Sequence, residues 1–214
     1  MTADWRAAHG LLQRARFAIS VPEPRLLPAD SGLEVAFAGR SNSGKSSAIN
    51  ALCTQRGLAR ISRTPGRTQH LVVFELDAGR RLVDLPGFGY AKVSKVMRAH
   101  WERALPTYLE TRQSLRGVVL LMDIRHPLKP PDELMIAWCA ASGVPLHILL
   151  NKCDKLGRGP AAAARQLVAR ALAKSDGDAS VQTFSALRHE GLQEAYAKLA
   201  DWFDLQPPSD AVTN

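Results

Sequence analysis

Apolar residues recur along the chain in two alternating patterns, short continuous runs and helical spacing. The run LEVAFAG (33–39) ends in glycine and predicts a buried strand, and residues 45–53 then carry the spacing of a helix. The segment HLVVFELDAGRRLVDLPG (70–87) holds two extended runs joined at D-A-G-R, which predicts a β-hairpin. The first half of the domain therefore contributes a strand, a helix and two further strands.

The second half of the chain continues this alternation. RGVVLLMDI (116–124) and VPLHILLNK (144–152) are apolar runs typical of parallel strands buried on both faces, and SVQTFSA (180–186) predicts a last strand. The predicted helices cover residues 94–112, with a kink or break at Pro106, and residues 131–142, 160–174 and 191–203. We therefore expect an α/β fold with a doubly wound, mostly parallel six-stranded sheet, one antiparallel strand, and helices on both faces.

The pattern divides the chain into one domain and two flanking segments. Residues 1–30 are an N-terminal extension, an amphipathic segment to about Ile19 followed by the proline-rich connector VPEPRLLP, which a regular helix does not accommodate. Residues 31–205 form the domain, and residues 206–214 form a loose tail.

The amino-acid composition indicates the class of protein and the compartment in which it is expected. With 46% hydrophobic and 22% charged residues, the chain is ordinary for a soluble globular protein. No apolar run approaches the roughly 18 residues that span a bilayer, so no membrane partner is expected. The three cysteines have no metal-ligand spacing, which favours a reducing compartment, and the cytoplasm is the expected location.

The charge is less ordinary, because the formal net charge is +8. No acidic residue lies between Glu34 and Glu75, and that window contains six cations: Arg40, Lys45, Arg56, Arg60, Arg63 and Arg67. Such a stretch favours a polyanionic partner, with a solvated basic surface as the alternative.

Residues 39–46 read GRSNSGKS, which matches the phosphate-loop pattern GxxxxGK[ST] between a predicted strand and a predicted helix. Backbone N–H groups of this loop and the helix N-terminus would surround a β-phosphate. Lys45 can reach the β- and γ-phosphates, and the Ser46 hydroxyl suits Mg²⁺. We therefore predict a P-loop NTPase fold that binds a nucleoside triphosphate.

A second phosphate motif, DLPG, ends the hairpin. Asp84 is placed to hold Mg²⁺ through water, and the Gly87 N–H can bind a γ-phosphate. The next residue is Phe88, where Ras-like GTPases carry the glutamine that orients the attacking water. Because Phe88 forms no hydrogen bond through its side chain, slow intrinsic hydrolysis is predicted.

The base is predicted from NKCD (151–154), which follows a predicted strand. The Asp154 carboxylate can accept hydrogen bonds from guanine N1–H and the exocyclic amine, which adenine lacks. Asn151 would tie this loop to the phosphate loop, and the stem of Lys152 would lie along the base. The Ala186 N–H, at the end of the last strand, can meet guanine O6. GTP is therefore favoured over ATP.

The segment SRTPGRTQH (62–70) lies where a switch threonine is needed to coordinate Mg²⁺ and sense the γ-phosphate. Thr64 and Thr68 are both candidates. Thr68 is favoured because it directly precedes the strand.

Taken together, GRSNSGKSS, TPGRTQ, DLPGFGYAKV, NKCD and FSA, in this order and spacing, resemble the EngB (YihA, YsxC) ribosome-biogenesis GTPases of bacteria, within the TrmE-Era-EngA-EngB-Septin-like superfamily. The resemblance covers about residues 17–203. It implies a monomeric GTPase that assists late assembly of the large (50S) ribosomal subunit, binds that subunit or its precursor, and is needed for normal cell division and septation.

The resemblance also implies roles for individual residues. The residues expected to contact GTP or GDP are Gly39, Arg40, Ser41, Asn42, Ser43, Gly44, Lys45, Ser46, Gly66, Arg67, Thr68, Gln69, His70, Asp84, Leu85, Pro86, Gly87, Asn151, Lys152, Cys153, Asp154, Phe184, Ser185 and Ala186. The expected Mg²⁺ ligands are Ser46, Thr68 and Asp84. The residues expected to take part in hydrolysis are Lys45, Thr68, Gly87 and Asn42.

Two questions stay open at this level. Asn42 stands where related GTPases help to hold a K⁺ in place of an arginine finger, and the alternative is a polar loop residue bonded to its own backbone. The function has alternatives too: a nucleotide-gated RNA- or protein-binding module in which hydrolysis is incidental, or another Era- or TrmE-like GTPase.

Overall fold

The computed structural model describes residues 4–59, 70–87 and 95–205. Over these ranges the strands and helices alternate along most of the chain, as the apolar pattern predicts. In chain order they are α1 (Trp5–Leu12), β1 (Arg16–Val21), β2 (Leu33–Gly39), α2 (Lys45–Leu52), β3 (Leu71–Glu75), β4 (Arg80–Asp84), α3 (Lys95–Thr111), β5 (Leu115–Asp123), α4 (Pro130–Ala141), β6 (Leu146–Asn151), α5 (Arg158–Leu172), β7 (Ala179–Thr183) and α6 (Leu192–Trp202).

The strands form one sheet in the order β1-β3-β4-β2-β5-β6-β7. β3 pairs antiparallel with both of its neighbours, and the other pairings are parallel. The prediction of a mostly parallel sheet with one antiparallel strand is therefore confirmed.

The predicted count of six strands is wrong, because the N-terminal extension supplies a seventh. β1 pairs with β3 from Arg16 opposite Glu75 to Val21 opposite Leu71. Most of this strand is exposed, including Phe17 at 59%, so its sequence lacks the buried run or regular alternation by which the other strands were predicted. Its hydrogen bonds to β3, rather than burial, define it as a strand.

Two helical layers cover the sheet. α1, α2 and α6 pack on one face through residues such as Leu11, Ile49 and Leu199, and α3, α4 and α5 pack on the other. Pro106 lies inside α3 without ending it, so the helix is not broken there. Within the described residues no helix is long and apolar enough to cross a membrane.

The amino-terminal edge of the sheet carries a buried ionic network. Glu34, at 0% exposure, accepts hydrogen bonds from Arg81 (2.9 Å), from Arg112 (3.0 Å) and from the Tyr108 hydroxyl. Burial, together with the charge of Glu34, raises the pKa of Tyr108 well above its usual value. This network fixes the edge opposite to the one where the predicted site residues gather.

Candidate nucleotide-binding site

The carboxyl ends of four adjacent strands bring the predicted motifs together. β4 ends at Asp84, β2 at Gly39, β5 at Asp123 and β6 at Asn151, and these strands are neighbours in the order β4-β2-β5-β6. In an open parallel sheet, ligands bind at this edge. The fold therefore places the phosphate motifs and the NKCD motif side by side.

The phosphate loop connects β2 to α2 through two residues in the left-handed region, Asn42 (φ 64°) and Gly44 (φ 93°). A Cβ at Gly44 would lie 2.2 Å from Nδ2 of Asn151, so only glycine fits there. Gly44 caps α2 without a side-chain hydrogen bond, which leaves the N–H groups of the first helical turn without a side-chain partner. Such a helix start is suited to bind a phosphate.

Lys45 and Asp84 form an ion pair in the centre of the edge, and their side chains are only 9% and 6% exposed. Burial raises the pKa of the Asp84 carboxyl, and the Lys45 ammonium opposes that shift. Ser46 lies half-buried in the first turn of α2. Of the residues predicted to meet the phosphates and Mg²⁺, Lys45, Ser46 and Asp84 therefore lie together, with the lysine paired to the carboxylate.

The DLPG segment approaches the phosphate loop directly. The Leu85 N–H donates to the carbonyl of Phe37 (2.9 Å), which continues the β2–β4 pairing past Asp84. A Cβ at Gly87 would lie 3.7 Å from the backbone nitrogen of Ser41, an ordinary contact distance. Gly87 and the phosphate loop thus line the same side of the site.

Asn151 links the two halves of the site, as predicted. Its Nδ2 donates to the carbonyl of Ser43 (2.8 Å), and its Oδ1 accepts from the N–H groups of Lys152 (2.8 Å) and Ala186 (3.1 Å). The Ala186 N–H that was predicted to meet guanine O6 is therefore engaged by Asn151 in this structure.

The Asp154 carboxylate is oriented by its neighbours. Oδ1 accepts a hydrogen bond from the Ser185 hydroxyl (2.6 Å), which in turn accepts from the Arg188 N–H (3.1 Å). The hydrogen bond from Ser185 is the main cause that lowers the pKa of Asp154. The result is an ionised acceptor that suits the N1–H and the amine of guanine.

Lys152 reaches across to the phosphate loop. Its ammonium donates to the carbonyl of Asn42 (2.6 Å) and to Oδ2 of Asp123 (2.9 Å), so its stem lies beside the place predicted for the base. Burial raises the pKa of Asp123, but hydrogen bonds from Arg125 and Lys152 outweigh it and leave that pKa well below its usual range. Asp123 was not predicted, although it ends the apolar strand directly beside Asn151.

Arg40 lies in the phosphate loop, but its side chain is directed toward α4. Its Nε is 3.0 and 3.1 Å from the carboxylate oxygens of Asp132, and its Nη2 donates to the carbonyl of His126 (2.9 Å). Asp132 is fully buried and also accepts from the Lys129 N–H at the start of α4. The nucleotide contact expected of Arg40 is left to its backbone, and Asp132, which the sequence did not single out, anchors the loop.

The remaining predicted residues divide into two groups. Cys153 and Phe184 are buried beneath the loops that carry Asp154 and Ser185, and His70 is exposed, its Nδ1 3.2 Å from Ser20 Oγ. The following lie outside the described residues: Arg60, Arg63, Thr64, Gly66, Arg67, Thr68, Gln69 and Phe88.

Comparisons with known proteins agree with this geometry. Residues 34–152 match the family described as "50S ribosome-binding GTPase" (MMR_HSR1). A "Probable GTP-binding protein EngB" from Colwellia psychrerythraea is 54% identical over 193 residues, covering 90% of this chain and 86% of that protein. A protein of the same description from Escherichia coli (strain K12 / MC4100 / BW2952) is 52% identical over 196 residues, covering 91% of this chain and 93% of that protein.

Solved structures show the same fold. A crystal structure of a probable GTP-binding protein engB superposes with a TM-score of 0.65 at 19% identity, covering 81% of this chain and 100% of that one. Aquifex aeolicus Era bound to GDP and AlF4⁻ superposes with a TM-score of 0.62 at 21% identity, covering 84% of this chain and 58% of that one. At these identities the likeness concerns the fold alone.

Proposed function

The chain belongs to the EngB family of GTP-binding proteins, and from that premise we propose that it is a slow GTPase that assists assembly of the large (50S) ribosomal subunit. We place it as a monomer in the cytoplasm, where its loss would disturb cell division and septation. The observation that carries the proposal is the joining of the phosphate loop to the NKCD loop by Asn151, in a chain whose matched family is described as ribosome-binding.

Guanine selectivity rests on Asp154. Its carboxylate, held by Ser185, offers acceptors to the two guanine donors, whereas adenine would leave a charged acceptor without a partner. Sites that depend on such hydrogen bonds discriminate by about 10⁴–10⁵. The family binds GTP and GDP, and these contacts account for that choice of base.

Mg²⁺ fits the donor set of the site. The Ser46 hydroxyl and the Asp84 carboxylate supply the oxygen ligands that this ion prefers, and Thr68 is the proposed third protein residue. The bound ion would offset charge on the β- and γ-phosphates. Lys45 would then exchange its contact with Asp84 for the phosphate oxygens.

The rate of hydrolysis is proposed to be low in the isolated protein. Phe88 replaces the residue that positions water, which leaves charge stabilisation by Lys45 and the metal. Asn42 is the proposed site of help from K⁺, since its side chain is exposed in the phosphate loop. Turnover should be faster in KCl than in NaCl, and Asn42→Asp should abolish the difference. Equal rates in both salts would remove K⁺ from the proposal.

Co-sedimentation with large-subunit precursors tests the ribosomal role. We expect the chain to sediment with precursors in the presence of GTP and to be released with GDP or without nucleotide. Sedimentation that does not depend on nucleotide, or that is absent in all three conditions, would contradict the proposal.

Phe88 also favours a second candidate, a nucleotide-gated binding module in which hydrolysis is incidental. A non-hydrolysable GTP analogue separates the two. An assembly GTPase stays on the precursor with the analogue because hydrolysis is its exit step, whereas a gated module leaves at its usual rate.

A further inference from the structure

The most basic exposed element of the described chain is α5, which follows the NKCD loop and packs against β7. Between Asp154 and Asp176 the sequence contains five Lys or Arg residues and no Asp or Glu. This stretch therefore has a formal charge of +5, compared with +8 for the whole chain. Unlike the acid-free window that includes the phosphate loop, it contains none of the predicted nucleotide contacts.

The cations of α5 are available to an external anion. Arg158, Arg165, Arg170 and the following Lys174 are exposed and form no ion pair with any described residue. In the rest of the described chain, many arginines are neutralised internally, for example Arg40 by Asp132 and Arg81 by Glu34. Four exposed cations that form no ion pair with the described residues are therefore grouped on α5 and the turn that follows it.

α5 is attached to the domain by a narrow apolar stripe. Of its 15 residues only Val168 and Leu172 are buried, and they pack beside β6 and β7 at the edge of the sheet. The rest of the surface is largely alanine, so the long cationic side chains project beyond their neighbours. The polar and charged residues that line an open groove between α5 and β7 include Arg158, Arg165, Gln166 and Glu190.

The spacing of the cations suits a chain of phosphates. Arg158 and Arg165 are seven residues apart and share the side of α5 that borders β7, where Arg165 Nε donates to the carbonyl of Val181 (3.3 Å). Arg170 and Lys174 are four residues apart and share the outer side. Arg158 and Arg170 are separated by about 18 Å along the helix, which matches several consecutive phosphates and exceeds a single small anion.

We propose that the α5 surface, which comprises Arg158 and Arg165 on the side toward β7 and Arg170 and Lys174 on the outer side, docks on the phosphodiester backbone of RNA. This inference rests on the proposed ribosomal role and names the part of the chain that faces the RNA. Arginine binds phosphate in a bidentate manner, and the small alanine side chains let a rigid nucleic acid approach closely.

RNA explains this surface better than a lipid bilayer does. Helices that lie on anionic membranes combine basic residues with a stripe of Trp, Phe or Leu. α5 has no aromatic residue. Among the exposed large apolar side chains of the described residues, Leu167 (55% exposed) is the one that lies on α5. A surface of this composition binds through charge, with few apolar contacts.

The test uses the full chain with Arg158, Arg170 and Lys174 changed together to Gln. These side chains make no described ion pair, and glutamine is a good helix former, so α5 should fold normally. The matched control changes Arg6, Arg14 and Arg116 to Gln, which removes the same charge from exposed positions away from α5. Both variants should bind fluorescent GTP as the parent protein does.

Binding is measured in several KCl concentrations to purified large ribosomal subunits, to protein-free RNA extracted from them, and to vesicles containing phosphatidylserine. We expect the α5 variant to bind subunits and RNA about 10- to 100-fold more weakly, with a slope of log affinity against log salt that is shallower by about 2–3. The control should match the parent protein.

The three probes separate the possible failures. Equal RNA binding by the parent and the α5 variant, or an equal loss in the control, overturns the α5 proposal and leaves the ribosomal role standing. If the α5 variant loses binding to vesicles but keeps binding to RNA, the partner of the α5 surface is a membrane and not RNA. If the parent binds no subunits in any nucleotide state but binds free RNA through α5, the ribosomal role fails and the α5 surface stands.

Discussion

The phosphate end and the guanine end of the site depend on different kinds of bond. At the phosphate end, Lys45 and Asp84 are paired with each other, although both are suited to the phosphates and the metal. At the guanine end, Asn151, Ser185 and Asp154 are held by hydrogen bonds that leave the guanine-facing carboxylate charged and oriented. The phosphate end must exchange partners when nucleotide binds, whereas at the guanine end the carboxylate predicted to select the base is already oriented.

This difference assigns different tasks to the two ends. A preassembled guanine end costs little ordering on binding, so it can select the base in either nucleotide state. The phosphate end responds to what occupies it, because a ligand shifts a conformational equilibrium only through differential contacts. Sensing of the γ-phosphate therefore belongs to the end where the internal ion pair is replaced.

The largest expected effect is at the guanine end. Asp154→Asn should lower affinity for GTP by about 10⁴-fold and shift preference toward xanthosine triphosphate, whose additional carbonyl accepts from the new amide. Fluorescent-nucleotide titration measures both. Asp176→Asn, at an exposed position outside the site, serves as the control and should change neither. A variant that keeps its preference for GTP would show that Asp154 does not read the base.

At the phosphate end the expected effect is on stability. Lys45→Met should lower the free energy of unfolding of the nucleotide-free protein by about 3–5 kcal/mol, because it leaves Asp84 charged and buried without its partner. Urea unfolding measures the change. Adding Asp84→Leu to the same chain should restore most of the loss, since replacing both partners of a buried pair is often tolerated.

The matched control for that pair lies at the guanine end. Lys155 is 3.5 Å from Asp154 and its side chain is 53% exposed, so Lys155→Met should change stability by less than about 1 kcal/mol. Equal losses in the Lys45 and Lys155 variants would remove the contrast between the two ends.

The sequence predicts well the parts of this site that lie within recognisable motifs. The phosphate loop, the DLPG turn and the NKCD turn are each continuous, and the link from Asn151 to Ser43 follows from their order. Asp132 was not predicted, because it belongs to no nucleotide-binding motif and only the folded sheet brings it to Arg40, 92 residues away. β1 was missed for a related reason: an exposed edge strand is defined by its partner, and its own pattern carries little signal.

A pH effect is expected from His147, which is linked through Gln182 to the turn beside the guanine end. Its ring is buried between Ser180 and Gln182 (2.8 Å to each), and Gln182 in turn donates to the carbonyl of Gly191 (2.7 Å), in the turn that follows Ser185. Burial lowers the pKa of His147 from 6.5 to about 4. The imidazole of His147 is therefore protonated below about pH 6.5 in the unfolded chain, but only below about pH 4 in the native chain.

Stability should accordingly fall as the pH is lowered through this window. Between pH 7 and pH 5 the contribution of His147 amounts to about 2 kcal/mol, measured by urea unfolding. His147→Gln should lose this part of the pH dependence, whatever its stability at pH 7. An unchanged slope in that variant would mean that other groups cause it.

The smallest effect concerns the orientation of Asp154. Ser185→Ala removes the hydroxyl that donates to Oδ1, so the carboxylate stays charged but loses its fixed position, and affinity should fall by about tenfold. GTP and GDP should weaken equally, because the base is common to both, and the ratio of their affinities should stay constant. Ser175→Ala, which removes a hydroxyl bonded only to the carbonyl of Leu172, is the control. A change in the GTP to GDP ratio would show that the guanine end also takes part in sensing the phosphates.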